Sequence, residues 1–164
     1  MAMIQGKRGL IGALAGLMLA GATAAQATDP NWQAPPTYGS VNLSAGFMPD
    51  PHRVDLSAGG STQVSSSLGS GCAGYIYAEA PDVDLYYTAG SLPLYIHVES
   101  RTDTTLVINA PDGRWYCNDD ANGLDPMVSF PKAQSGMYNI WVGVWGNSEL
   151  RDATLNFTEI NPSR

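Results

Sequence analysis

The chain reads as all-β, a single sandwich of two sheets, on three observations. Apolar and polar residues alternate in short runs, most plainly in Leu94-Tyr95-Ile96-His97-Val98-Glu99, a pattern that gives a strand one core face and one outer face. Clusters of Gly, Pro, Asn, Asp and Ser punctuate these runs at short intervals, supplying turn chemistry. Beyond the first 27 residues no segment carries apolar side chains at helical spacing. About ten short strands follow from this punctuation, and a chain of this size closes naturally into one sandwich.

The N-terminus carries an export signal. Lys7 and Arg8 form a basic start, no further charge occurs before Asp29, and residues 10–19 are an apolar run too short to span a bilayer. Ala25-Gln26-Ala27 is a small-residue cleavage site, which divides the chain into a signal peptide (1–27), an extended lead-in (28–40) and a sandwich domain (41–164). The competing reading is an uncleaved anchor. No cysteine lies near the cleavage point to carry a lipid, and no later segment is apolar enough to cross a membrane, so the expected address is periplasmic or extracellular. Cleavage removes two of the eight basic residues and none of the fifteen acidic ones. The resulting acidic chain repels phosphate backbones and anionic lipid, which argues against a nucleic-acid partner and leaves a protein or polysaccharide ligand or a divalent cation.

Two cysteines in an exported chain predict one disulfide, Cys72–Cys117, which stabilises by roughly 4 kcal/mol through loop-closure entropy. Two buried thiols or a metal pair are the alternatives. Along the chain, the lead-in holds three prolines and is pinned by Trp32 or Tyr38. A short repeat follows: Val41-Asn42-Leu43-Ser44-Ala45-Gly46 and Val54-Asp55-Leu56-Ser57-Ala58-Gly59 agree at five of six positions, each a strand ending in Ala-Gly. The Ser/Gly-rich segment 60–71 contains an edge strand over 62–68, and residues 72–78 form another strand. Residues 82–90 and 94–98 alternate again. Residues 104–108 run to the turn Ala110-Pro111-Asp112-Gly113, and the strand returns through Arg114-Trp115-Tyr116-Cys117. Residues 126–130 are short and apolar. In residues 137–145, Tyr138, Ile140, Val142 and Val144 take one face and Asn139, Trp141, Gly143 and Trp145 the other. Residues 153–160 close the fold with Leu155 and Phe157 inward.

From residue 82 onward the order of features resembles the bacterial pre-peptidase C-terminal domain family. The features are Asp82-Val83-Asp84 before Leu85-Tyr86-Tyr87, the Ala89-Gly90 turn, the strand ending in Pro111-Asp112-Gly113, the acidic loop 118–125, and Gly136-Met137-Tyr138 opening a late strand. The resemblance covers about half of the mature chain. It implies a jelly-roll-like antiparallel β-sandwich of the kind appended to secreted peptidases, some relatives of which bind collagen or calcium. No peptidase domain accompanies it here.

Three constellations are candidates for chemistry. Asn118, Asp119, Asp120, Asn122 and Asp125 set hard oxygens within one loop, as a calcium site requires. An EF-hand is excluded because its twelfth position falls on Ser129 and its flanks are strands. A calcium loop of another type and an ordinary Asp/Asn turn remain as readings, with Asp82 and Asp84 joining as ligands only if the fold brings them near. Trp115, Trp141 and Trp145 form an aromatic face for sugar or extended peptide if that face is open, and a second packing surface if it is covered. For a serine peptidase, only His52 and His97 could serve as base, and no Gly-x-Ser-x-Gly elbow is present. Two isolated histidines give no zinc site. The sequence therefore predicts an exported module that binds or supports and does not catalyse, with calcium as its only candidate cofactor. A small secreted hydrolase or peptidase accessory protein is the alternative.

Overall fold

The computed structural model describes residues 29–163, so the expected signal peptide and cleavage site lie outside the described residues. Eleven strands and no helix make up the described chain. They are β1 (Ser40–Ser44), β2 (His52–Ala58), β3 (Thr62–Gln63), β4 (Tyr75–Ile76), β5 (Val83–Thr88), β6 (Leu94–Ser100), β7 (Thr104–Asn109), β8 (Trp115–Asn118), β9 (Met127–Phe130), β10 (Gly136–Val144) and β11 (Arg151–Thr158). Four strands form one sheet in the order β2-β11-β6-β9, and the other seven form the second. The longest strand, β10, organises the larger sheet. One of its edges pairs with β7 along Asn139–Val144, and the other is shared between β5 at Gly136–Ile140 and β4 at Val144.

The main core lies between the sheets and follows the alternation. Leu94, Ile96 and Val98 from β6, Leu155 and Phe157 from β11, Val83 and Leu85 from β5, and Ile140 and Val142 from β10 are all fully buried. Tyr138, Phe130 and Tyr116 continue it with edge-to-face ring contacts at 5.1–5.2 Å. This is the expected two-sheet, all-β architecture.

Two details depart from the expectation. β1 runs parallel to β5, in register from Ser40 opposite Asp84 to Ser44 opposite Thr88, whereas a wholly antiparallel sandwich was expected. The chain crosses from β1 to β2 in the other sheet, so the two repeat strands never pair and β1 is free to lie along β5. The strands expected over 62–68 and 72–78 shrink to two residues each. The rest of that segment is an irregular flap that crosses the outer face of the larger sheet. Cys72–Cys117 joins the flap to β8. The lead-in is fixed by three backbone bonds, in which the N–H groups of Asn31, Thr37 and Tyr38 donate to the carbonyls of Ala78, Pro81 and Asp82. Tyr38 pins it as well. Trp32 stays half-exposed.

Candidate functional site

The acidic loop 118–125 leaves β8 and returns as β9. Its tip is a tight turn in which Asn122 and Asp125 exchange backbone bonds of 3.1 and 3.4 Å, with Gly123 supplying a φ of 70° between them. Three of the five predicted ligands spend side-chain oxygens on protein donors. Asn118 Oδ1 accepts from Met127 N–H at 2.9 Å, Asp125 Oδ1 from Ser100 N–H at 3.2 Å, and Asn122 Oδ1 from Ser163 Oγ at 3.1 Å. Asp119 and Asp120 make no such bond among the described residues; burial, and after it the charges of Asp120 and Asp119, holds the Asp103 carboxyl above its usual range. Among the described residues no three His, Cys, Asp or Glu side chains converge as a metal cage. Three of the loop's side-chain oxygens therefore tie it to β6, β9 and the C-terminal segment, while those of Asp119 and Asp120 have no protein donor among the described residues.

Asp82 and Asp84 do not join that loop. Both lie on the outer face of the larger sheet and bond to β10. Asp82 Oδ2 accepts from Val142 N–H at 2.7 Å, and Asp84 Oδ1 accepts from Asn139 Nδ2 at 2.8 Å. Val142 lies on β10's shared edge, in the gap between β5 and β4, so the Asp82 carboxyl stands in for a missing strand partner. Burial raises the Asp82 carboxyl to about 7, with the Val142 N–H pulling the other way, and burial raises Asp84 against the bond from Asn139.

The aromatic face is closed. Trp141 has no exposed surface and packs with Val64, Cys72, Ile76, Ala78 and Val107 in a second small core, and half-buried Trp115 lies against it at 5.5 Å. Of the three tryptophans only Trp145, 48% exposed at the end of β10, faces solvent. The predicted sugar or peptide platform is thus the floor beneath the flap. The flap sits close enough because Gly74 and Gly143 lack side chains: a Cβ on either would collide with Thr105.

His52 is half-buried, tilted against Phe157 at 6.2 Å. His97, on the outer face of the smaller sheet, is buried beside Glu99, Asn122, Asp125 and Pro162, which line a cavity of about 220 Å³. Burial lowers its pKa, against the raising influence of Glu99 and Asp125, while Arg53 adds to the lowering. Neither imidazole hydrogen-bonds a serine or a carboxylate among the described residues.

A larger concavity of about 1000 Å³ opens on the same outer face, across β2, β11 and the end of β6. Carboxylates of Asp55, Glu99 and Asp152 share it with the guanidinium groups of Arg101 and Arg151, and Tyr38 stands at its rim. Of these five charges only Arg151 is ion-paired among the described residues, with Glu149, so the other four face the opening without a salt bridge. The Tyr38 hydroxyl accepts from Ser57 N–H at 3.0 Å, which holds the ring in place. No direct signal in the sequence marks this surface, since its residues come from three strands and the lead-in.

These features define a small two-sheet β-sandwich protein with one sheet face sealed by a disulfide-fastened flap and the other left open and polar. Comparison of the chain with family models, curated proteins and solved structures found no match.

Proposed function

We propose that this chain is an exported, non-catalytic binding or structural module, of the kind its resemblance to pre-peptidase C-terminal domains implies. The observation that supports this reading is the concavity on the smaller sheet. It offers both carboxylate acceptors and guanidinium donors on a rigid, two-sided scaffold, and such a mixed lining suits a polar polymer, protein or polysaccharide. The disulfide agrees with an oxidising compartment, and no helix among the described residues is long and apolar enough to cross a membrane. In this reading the acidic loop is a latch that ties β8, β9, β6 and the C-terminal segment at one end of the sandwich.

Retention of the mature protein on insoluble polysaccharide and on immobilised extracellular-matrix protein tests the binding reading. Arg101→Ala combined with Asp152→Ala should abolish retention on whichever support holds the wild type, with the melting temperature unchanged. A fluorophosphonate serine probe tests the hydrolase alternative, and labelling lost on changing a single serine would replace this reading. Melting with EDTA or with added Ca²⁺ tests the latch: an unchanged midpoint is expected, and a midpoint that climbs with Ca²⁺ concentration would restore the ion site.

A further inference from the structure

We propose that β1 is a homodimer interface, pairing antiparallel with β1 of a second copy about a two-fold axis through Asn42. A sheet edge presents unpaired backbone N–H and C=O groups, and proteins guard such edges with short strands, charges, prolines or covering groups. Four of the five terminal strands here are guarded. β3 has only two residues. β8 has four and is tied through Cys117 to the flap. On β9, Met127 N–H is occupied by the Asn118 side chain. On β2, the Tyr38 hydroxyl covers Ser57 N–H, and the outward residues Arg53 and Asp55 are charged.

β1 carries none of these devices. It bonds to β5 through one set of alternate residues, as the flanking bonds Asp84 N–H to Gly39 O and Ala45 N–H to Thr88 O show. The backbone groups of Ser40, Asn42 and Ser44 therefore face away from β5. They have no partner among the described residues, and all three residues are exposed. The strand is uncharged in a chain whose formal net charge is −7.

The sequence of the strand selects the occupant. Ser40-Val41-Asn42-Leu43-Ser44 reads as the same succession of residue classes in both directions, and a two-fold interface requires such self-complementarity. Antiparallel pairing about Asn42 sets Asn42 opposite its own copy, Ser40 opposite Ser44 and Val41 opposite Leu43. Each of the Asn42 and Ser40/Ser44 pairs then exchanges two backbone bonds. On the core side, half-buried Val41 and Leu43 gain cover from their counterparts. On the outer side, Tyr86, 45% exposed and level with Asn42 on β5, reaches across the join.

Sedimentation equilibrium of the mature, disulfide-bonded protein over the micromolar to millimolar range reads this directly. The expected result is a monomer–dimer equilibrium. Asn42→Pro should weaken it by about tenfold or more with the circular dichroism and melting temperature of the monomer intact, because the N–H it removes faces away from β5. Should that variant fold poorly, Asn42→Lys keeps the N–H and sets two like charges face to face. It should weaken the dimer similarly, and added salt should restore part of the loss. A wild-type chain that stays monomeric throughout, one that instead pairs only with an added extended peptide, or a dimer indifferent to a folded variant at residue 42 would each overturn the proposal.

Discussion

The two copies of the Val-x-Leu-Ser-Ala-Gly repeat show how little of a strand's environment is local. Both form strands, and both end on a glycine of positive φ, 81° at Gly46 and 106° at Gly59. Beyond that they diverge. The first copy is β1, parallel, half-exposed and open on one edge. The second ends β2, antiparallel to β11, with Leu56 and Ala58 buried in the main core. Each closing glycine donates its N–H to a different element. Gly59 bonds the Val142 carbonyl on β10, and Gly46 bonds the Glu159 carboxylate, which also accepts from the Tyr87 hydroxyl. At the single mismatch, Asp55 accepts from Thr154 Oγ1 on a guarded edge and Asn42 is left exposed on an open one. The strand–glycine unit is thus a local instruction, and depth is assigned by what the tertiary fold lays beside it.

The largest expected effect concerns the anchorage of the second copy, because Val142 holds Gly59 with its carbonyl and Asp82 with its N–H. The Asp82 carboxyl keeps its proton to about pH 7 in the fold, against an ordinary value of 3.8. The folded state therefore binds the extra proton between those limits. The stability Asp82 contributes is full below about pH 3.8 and is lost as pH rises through 7, a change on the order of 4 kcal/mol. Denaturant unfolding of wild type and Asp82→Asn across pH 4–8 should give curves whose difference carries this slope. Parallel curves would remove Asp82 from the account. Next in size, Leu56→Ala should destabilise by about 3 kcal/mol and its counterpart Leu43→Ala by only about 1 kcal/mol, since only the former empties a filled site. Equal losses in chemical denaturation would mean that the copies share one depth. Gly59→Ala should cost about 2 kcal/mol, because its Cβ would stand 2.9 Å from the Glu149 carbonyl oxygen and 3.2 Å from Val144 Cγ2. Gly46→Ala meets nothing within 4 Å and should cost about 1 kcal/mol from backbone strain alone. The smallest effect belongs to Tyr38→Phe, which uncovers Ser57 N–H on β2 and should lower stability by about 1 kcal/mol or less in the same assay, with no equivalent hydroxyl to remove over β1.

Period-two alternation made the fold class and most of the main core readable in advance. Leu94, Ile96 and Val98 on β6, and Leu155 and Phe157 on β11, sit where their spacing puts them, and the cysteine pairing followed from two thiols in a chain expected to be exported. What alternation cannot report is whether the second face of a strand is covered. Trp141 is out of phase with Ile140 and Val142, and its burial depends on the flap, whose glycines and serines carry no periodic signal. The parallel course of β1 was hidden for a similar reason, since a strand's own residues do not record its neighbour's direction. The acidic loop was legible as a turn, but the partners of its oxygens were not. Its oxygens are bonded to Met127, Ser100 and Ser163, and only the folded chain brings the last two near. The Asp82-Val83-Asp84 motif was visible, but its use as a substitute strand partner depends on the gap that β5 and β4 leave along β10.

The position of β10 in the chain governs how the molecule is assembled. This strand joins β5, β7 and β4, donates to Asp82 and accepts from Gly59, yet it begins only at Gly136. Until it emerges, β1 with β5 and β7 with β8 can form only isolated two-stranded pieces, which are marginal in water. A chain growing or threading from its N-terminus therefore stays open until about five-sixths of it is available, and then closes many long-range contacts together. Late closure of this kind leaves the earlier strands without their long-range partners for most of the chain's length.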